Sequence, residues 1–267
     1  MAEHIYERDG ERFVPTQWSG SPWSPESQHG GPVAGLFTRG AEECAAEAGL
    51  QLARLTIDLF RPVPKQPLRL AKRWLRRGRK LALAELVLLR GEEEFARASA
   101  LLLAPRGELG SSWRDATPAP PAAEAGAALE FMPPGVREQW PPGFHLSVLA
   151  RSVRDELGPA VWLTTPLELV AGEPTSPQVR FGALSDLTFA MGMRIGFLRG
   201  PVDVRALQTR FINADITLYR ERVPEGDWLG FRLATMADTA GVGVAEVVQF
   251  DRAGRIGRSL QALVANG

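Results

Sequence analysis

The feature that most constrains this chain is that it repeats itself. The segment TIDLFR (56–61) resembles DITLYR (215–220), setting Ile57 against Ile216 and Arg61 against Arg220 at a displacement of 159 residues. Further on, AELVLLRGEEEFARASALLLA (84–104) lies without a gap against AEVVQFDRAGRIGRSLQALVA (245–265), matching Glu85 to Glu246 and Arg97 to Arg258 at a displacement of 161. Two displacements that nearly agree point to two copies of one structural unit, and such a repeat decides architecture before any local reading does. Strand patterning by itself is the competing source of such a match.

Each unit reads as one helix followed by antiparallel strands. Residues 32–48 place Val33, Leu36, Phe37, Ala41, Cys44 and Ala48 at three- and four-residue steps, after a Gly-Gly-Pro entry and before Gly49, which predicts an amphipathic helix. The period then changes to two in LARLTIDLFRPV, and PLRLAKRWLR, KLALAELVLLR and EFARASALLLA follow as further strands. The stretch TPAPPAAEAGAALEFMPPGVREQWPPG has no sustained period and reads as a connector, ordered in part by Phe131, Met132 and Trp140. Beyond it VWLTTPLELV is strand-like, LSDLTFAMGMRIGFL is helical, and four strands are expected at 205–220, 227–237, 242–250 and 255–265. The chain thus divides into a first unit (1–104), a connector (105–145) and a second unit (146–267), an α+β pattern.

Composition narrows the function. Lys+Arg 31 against Asp+Glu 31 gives no electrostatic reason to expect nucleic acid or an anionic membrane, and 45% hydrophobic content suits a substantial core. No apolar run approaches the ~18 residues of a membrane span. The start MAEHIYERDGERF carries charges where a signal peptide needs an apolar run, so a cytoplasmic protein is expected, and Cys44 alone forms no intrachain disulfide. One cysteine and the three histidines His4, His29 and His145 offer no metal-ligand spacing, and no G-x-S-x-G supports a serine hydrolase, so no cofactor is expected. His4 falls in a terminal tail and His145 at the end of the connector.

The ordered set of Trp18 with HGGPVAG (29–35), FRPV (60–63), LRRGRKLALAELVLLRGEEEFARA (75–98), LSDLTF (184–189), YRERVPEGDWLGF (219–231) and FDRAGRIGRSLQALV (250–264) resembles the double-hotdog acyl-CoA thioesterases of the thioesterase II-like group. That resemblance covers nearly the whole chain except the connector. It implies two antiparallel sheets, each wrapped round a central helix, hydrolysis of acyl-CoA thioesters, and a homodimer or larger homo-oligomer. It also implies a site made of an acid at the second helix, a hydroxyl or amide on the following strand, and a glutamine on the last strand. Asp186 matches the acid, with helix capping as its plainer role, and an unpaired carboxylate among Leu184, Leu187, Phe189 and Met191 needs a partner or a function. Gln261 matches the glutamine, and its counterpart in the first unit is Ala100. The hydroxyl position falls on Ile212, which cannot hydrogen-bond; a one-residue bulge lets Asn213 serve, with Thr209 and Thr217 more distant.

His29, Gly30 and Gly31 are expected beside the substrate, the glycines because they admit close approach at a helix start, with a tight turn feeding the helix as the alternative. Val33, Phe37, Phe189 and Met193 line either the acyl channel or the core. The basic runs 72–80 and 197–205 read as solvated strand edges, or as docking for coenzyme A phosphates. Two other functions compete: a hotdog hydratase or dehydratase using a His/Asp pair, for which only His29 is placed, and a non-catalytic acyl-CoA binding protein, prompted by Ile212.

Overall fold

The computed structural model describes residues 3–105, 117–130, 140–200 and 210–266. In chain order the elements are β1 (His4–Asp9), β2 (Arg12–Pro15), α1 (Gly30–Ala48), β3 (Gln51–Asp58), β4 (Leu68–Arg77), β5 (Leu81–Arg90), β6 (Glu93–Leu103) and β7 (Ala127–Leu129). There follow α2 (Phe144–Ser147), β8 (Leu149–Asp155), β9 (Gly158–Thr164), β10 (Glu168–Val170), α3 (Pro177–Ser185) and α4 (Thr188–Arg199). The last five are β11 (Arg210–Asn213), β12 (Asp215–Arg220), β13 (Leu229–Thr239), β14 (Val242–Asp251) and β15 (Gly254–Asn266).

These strands join in one sheet of order β10-β1-β2-β4-β5-β6-β3-β12-β15-β14-β13-β9-β8-β7, with β11 also on β15. Its two halves curl round helices, α1 in the first and α3 with α4 in the second, which is the α+β double hotdog. Alternation of apolar and polar residues builds it: Leu55 and Ile57 of β3, Leu86 and Leu88 of β5, and Ala98 and Ala100 of β6 are buried against the helix side. α1 starts where His29 caps it, carries Pro32 in a first turn whose N–H groups have no intrahelical partner, and ends at Gly49 in the left-handed conformation (φ +64°).

The halves meet where the repeat matches itself. β3 and β12 pair antiparallel with Ile57 opposite Ile216, so the approximate two-fold relating the halves passes through that pair. Registers repeat as well: Glu85 faces Ser99 across β5 and β6, and Glu246 faces Leu260 across β14 and β15. The ion pair Arg97–Glu85 (3.1 Å) recurs as Arg258–Glu246 (3.0 Å).

Several local expectations change. LSDLTFAMGMRIGFL is not one helix: it is the end of α3 and all but the last residue of α4, broken at Asp186 and Leu187. VWLTTPLELV splits into β9 and β10, and β10 pairs parallel with β1, so His4 lies in a sheet strand and not in a tail. The connector span contains β7, which pairs with β8, while Phe131 and Met132 lie outside the described residues. The run 72–80 is largely exposed, with Lys72, Arg73 and Arg77 in ion pairs to Glu43, Glu85 and Glu47; the run 197–205 falls partly outside the described residues. No helix among the described residues is long and apolar enough to cross a membrane.

α1 and α3 approach so closely that glycine is required at the crossing. A Cβ on Gly182 would lie 1.9 Å from Thr38 Oγ1 of α1, while one on Gly35 would meet Leu169 Cδ1 of β10 at 2.8 Å and Ala183 Cβ of α3 only at 3.4 Å. Thr38 is buried and its hydroxyl donates to the Ala34 carbonyl, so it has little freedom to move aside. Gly182→Ala is therefore expected to destabilise the protein by about 1–3 kcal/mol through overpacking, read as a lower urea midpoint at unchanged slope.

Candidate active site

The first turn of α1 is held by three separate segments. The Gln28 N–H donates to the Val63 carbonyl (2.8 Å), its Nε2 to the Pro64 carbonyl (2.8 Å), and its Oε1 accepts from the Tyr6 hydroxyl (2.5 Å). The His29 N–H donates to the Ser19 carbonyl (2.8 Å). His29 Nδ1 is the helix cap, accepting from the Gly31 N–H at 3.0 Å. The same nitrogen lies 2.9 Å from Asp186 Oδ2. Nδ1 must accept in the first contact and donate in the second, so one of the two is a full hydrogen bond at a time.

Asp186 comes from the other half of the molecule. It is the residue that ends α3, not one that caps the start of α4, and its side chain is 5% exposed. Its carboxylate sits between His29 and Asn213, whose Nδ2 donates to Oδ1 at 3.0 Å. Against it lies Gly30, where a Cβ would fall 2.4 Å from Oδ1; a Cβ on Gly31 would fall 2.4 Å from Phe144 Cε1. Both glycines are thus there because a side chain has no room. The Gly30 N–H, the first of α1, makes no protein hydrogen bond among the described residues.

Asn213 reaches Asp186 because of a bulge. It stands opposite Leu263, whereas Thr217 stands opposite Leu260, so four steps on one side answer three on β15. The Asp215 carboxylate accepts the Ala262 N–H (2.6 Å) at the irregularity. Ile212 is exposed, pairs with Val264 and lines the same cavity without a hydrogen-bonding group to offer. Thr217 bonds to Thr56 and Asp215, away from the carboxylate, and Thr209 lies outside the described residues.

Gln261 is brought to Asp186 from beneath. It is fully buried, does not line the cavity, and uses both ends of its amide on backbone: Oε1 accepts from the Phe189 N–H (2.8 Å) and Nε2 donates to the Asp186 carbonyl (2.8 Å). In front of the carboxylate a cavity of about 540 Å³ opens, with His29, Gly30, Asp186 and Asn213 on one wall. Val33, Leu59, Leu187, Phe189 and Phe211 supply apolar lining, while Phe37 belongs to the core and Met193 does not line the cavity. Exposed Trp23 and Phe60 stand at its rim.

Sequence reasoning missed the wall behind His29. Phe144 packs against the His29 ring at 5.4 Å and His145 stacks on it at 6.1 Å and 23°. His145 is buried, and burial, reinforced by nearby His29, lowers its pKa to about 4. No motif announced these two residues. It also missed the buried hydroxyls of Ser185, Thr188 and Ser259 around the helix break, for which comparison of the repeats carries a signal.

Comparison with known proteins gives this site a context. Residues 19–103 match the family model of the acyl-CoA thioesterase N-terminal domain, and residues 114–265 that of the acyl-CoA thioesterase C-terminal domain. A search of curated proteins found no match. Among solved structures, the tesB protein of Mycobacterium avium subs paratuberculosis is similar at 16% identity and TM-score 0.69, over 98% of this chain and 96% of that one. A conserved hot dog fold protein from Alicyclobacillus acidocaldarius is similar at 16% identity and TM-score 0.67, over 97% of this chain and 95% of that one. The acyl-CoA thioesterase II TesB2 of Mycobacterium marinum is similar at 15% identity and TM-score 0.63, over 91% of each chain. At these identities the structures speak to the fold, and the two domain matches, which together span most of the sequence, place the chain in the acyl-CoA thioesterase family.

Proposed function

We propose that the protein hydrolyses acyl-CoA thioesters with a water activated by Asp186. The observation that carries this reading is the buried carboxylate set between His29 Nδ1 and Asn213 Nδ2 at the head of a cavity with apolar lining. Thioester hydrolysis needs a base for water, a donor for the developing oxyanion and an apolar site for the acyl chain. Asp186 takes a proton as the water oxygen bonds to the carbonyl carbon. The oxyanion forms at the start of α1, where the unengaged Gly30 N–H and the positive end of the helix dipole meet it. Collapse breaks the C–S bond, and the proton held by Asp186 leaves with the thiol or to solvent.

Asn213 and His29 fix where that carboxylate points. Asn213 donates through Nδ2 to Oδ1 while His29 Nδ1 stands at Oδ2, so both oxygens of the carboxylate are held. Val33, Leu187, Phe189 and Phe211 offer the acyl chain a surface on which apolar area is removed from water.

The His29–Asp186 contact also favours a second reading, a hydratase or dehydratase acting on acyl thioesters through that pair. Thiol release from a panel of acyl-CoAs separates the two. Replacing His29 and finding hydrolysis unchanged removes the His/Asp hydratase. A wild-type protein that binds acyl-CoA yet releases no thiol removes the hydrolase and leaves a binding protein.

Asp186→Asn keeps the shape of the side chain and removes its basicity. It is expected to lower kcat for thiol release by roughly 10²–10⁴-fold with little change in KM; retained kcat would contradict the role of base. Gly30→Ala is expected to lower both activity and stability. The new Cβ displaces the carboxylate and costs about 10²-fold in kcat at a temperature where the variant is folded, and overpacking against the buried Asp186 lowers stability by about 1–3 kcal/mol. A Gly30→Ala protein with normal turnover would show that the close approach to Asp186 is not needed.

A further inference from the structure

The repeat exposes a difference between the halves that the hydrolysis scheme does not use. In the first half α1 runs unbroken for 19 residues over β5 and β6, whose Leu88, Ala98 and Ala100 are buried and apolar beneath it. At the displacement of 161 residues their counterparts are Gln249, Ser259 and Gln261, each fully buried. Nothing about the strand pattern demands polar groups there, since the first half fills the same positions with Leu and Ala. Above these three residues, and not above their counterparts, the helix is broken, at Asp186 and Leu187.

The polar groups match what the break leaves open. In a continuous helix the Ser185 carbonyl would accept from the Phe189 N–H and the Asp186 carbonyl from the Ala190 N–H. Instead the Gln261 amide stands in the gap, accepting from the Phe189 N–H and donating to the Asp186 carbonyl, each at 2.8 Å. The Ser185 carbonyl is taken by the Thr188 hydroxyl (2.8 Å), and Ser259 Oγ lies 2.7 Å from Thr188 Oγ1. Gln249 Nε2 donates to Ser185 Oγ at 2.9 Å. A buried helix break without such partners would leave carbonyls and amides unpaired, and a side chain inserted in the ladder is a recognised cause of a sharp kink.

We infer that Gln261, Ser259 and Gln249 are positioning residues that hold the helix open at Asp186, with Gln261 acting on the backbone beneath the carboxylate and not on water or substrate. The inference rests on the proposed role of Asp186 as base. Resealing the helix would rotate Asp186 out of line with His29 and Asn213. The polar trio keeps it there.

Gln261→Glu tests this because the two protonation states of glutamate differ in the one respect that matters. A protonated carboxyl can accept from Phe189 and donate to the Asp186 carbonyl, as glutamine does; an ionised one has no proton to donate and repels that carbonyl. Burial raises the glutamate pKa toward neutrality. With butyryl-, octanoyl- and palmitoyl-CoA as probes, the ratio of variant to wild-type kcat is expected to fall about tenfold or more between about pH 5.5 and about pH 8, at KM within about twofold. A ratio that is flat or rises with pH overturns the inference, since a residue that merely polarised water would tolerate or gain from the added base. An activity-independent measurement accompanies it: in Gln261→Leu, hydrogen exchange in the peptide spanning 185–190 is expected to accelerate about tenfold or more relative to wild type. Unchanged exchange there overturns the inference whether or not the protein turns over. A wild type that releases no thiol from any probe, with fast exchange in Gln261→Leu, removes the hydrolase reading and leaves standing the role of Gln261 in holding the helix open.

Discussion

The site exists because two helices from opposite halves of the molecule can touch without side chains between them. α1 and α3 cross at Gly182, where a Cβ would fall 1.9 Å from Thr38 Oγ1 of α1, and this crossing carries the start of α1 to the end of α3. At that meeting Gly30 has no side chain to hold off the Asp186 carboxylate. The electrostatics are favourable for the same geometrical reason, since a carboxylate is placed at the positive end of a long helix. A Cβ at Gly30 would push the acid away from Asn213 and His29, which share the cavity wall with it.

A duplicated architecture gives two positions where such a site could form, and the chain has elaborated one. The helix N-caps correspond, His29 for α1 and Ser176 for α3, but their surroundings do not. Ser176 donates to Glu42 and caps Val179, within a cluster where Arg39 is paired with Glu43 and Glu173. Burial raises the Glu42 pKa, with Ser176 and two arginines opposing that rise. The elaborated side has instead a helix break, polar residues beneath it and a bulge at Asp215, beside which Asn213 meets the carboxylate. Each of these departures from the regular half acts on the placement of one carboxylate.

Much of the fold could be read from the residues, because the burial that shapes it leaves a period. Strands β3, β5, β6, β12 and β15 follow the two-residue alternation over most of their length, and the displacement of 161 residues predicts matched registers that the structure contains. Asp186 and Gln261 were visible as polar groups among apolar neighbours, and His29, Gly30 and Gly31 as an unusual helix entry. What could not be read had no local signal. The helix break has no proline or glycine at its centre, being set by Gln261 from a strand 72 residues away from the Phe189 amide it accepts. The parallel pairing of β1 with β10 and the stacking of His145 on His29 likewise depend on residues distant in sequence. Ile212 stands at the position expected to carry a hydrogen-bonding group, and the bulge brings its neighbour Asn213 to the Asp186 carboxylate instead.

The central claim is that the buried carboxylate activates a water and does not itself attack. A single turnover of acyl-CoA in water enriched in heavy oxygen tests it most directly, with the label then located in the released acid and in the peptide containing Asp186. The expected result is one labelled oxygen in the acid and none in the Asp186 carboxylate. Label in Asp186 would mean that the carboxylate attacks the thioester as a nucleophile, and would contradict the role assigned to it.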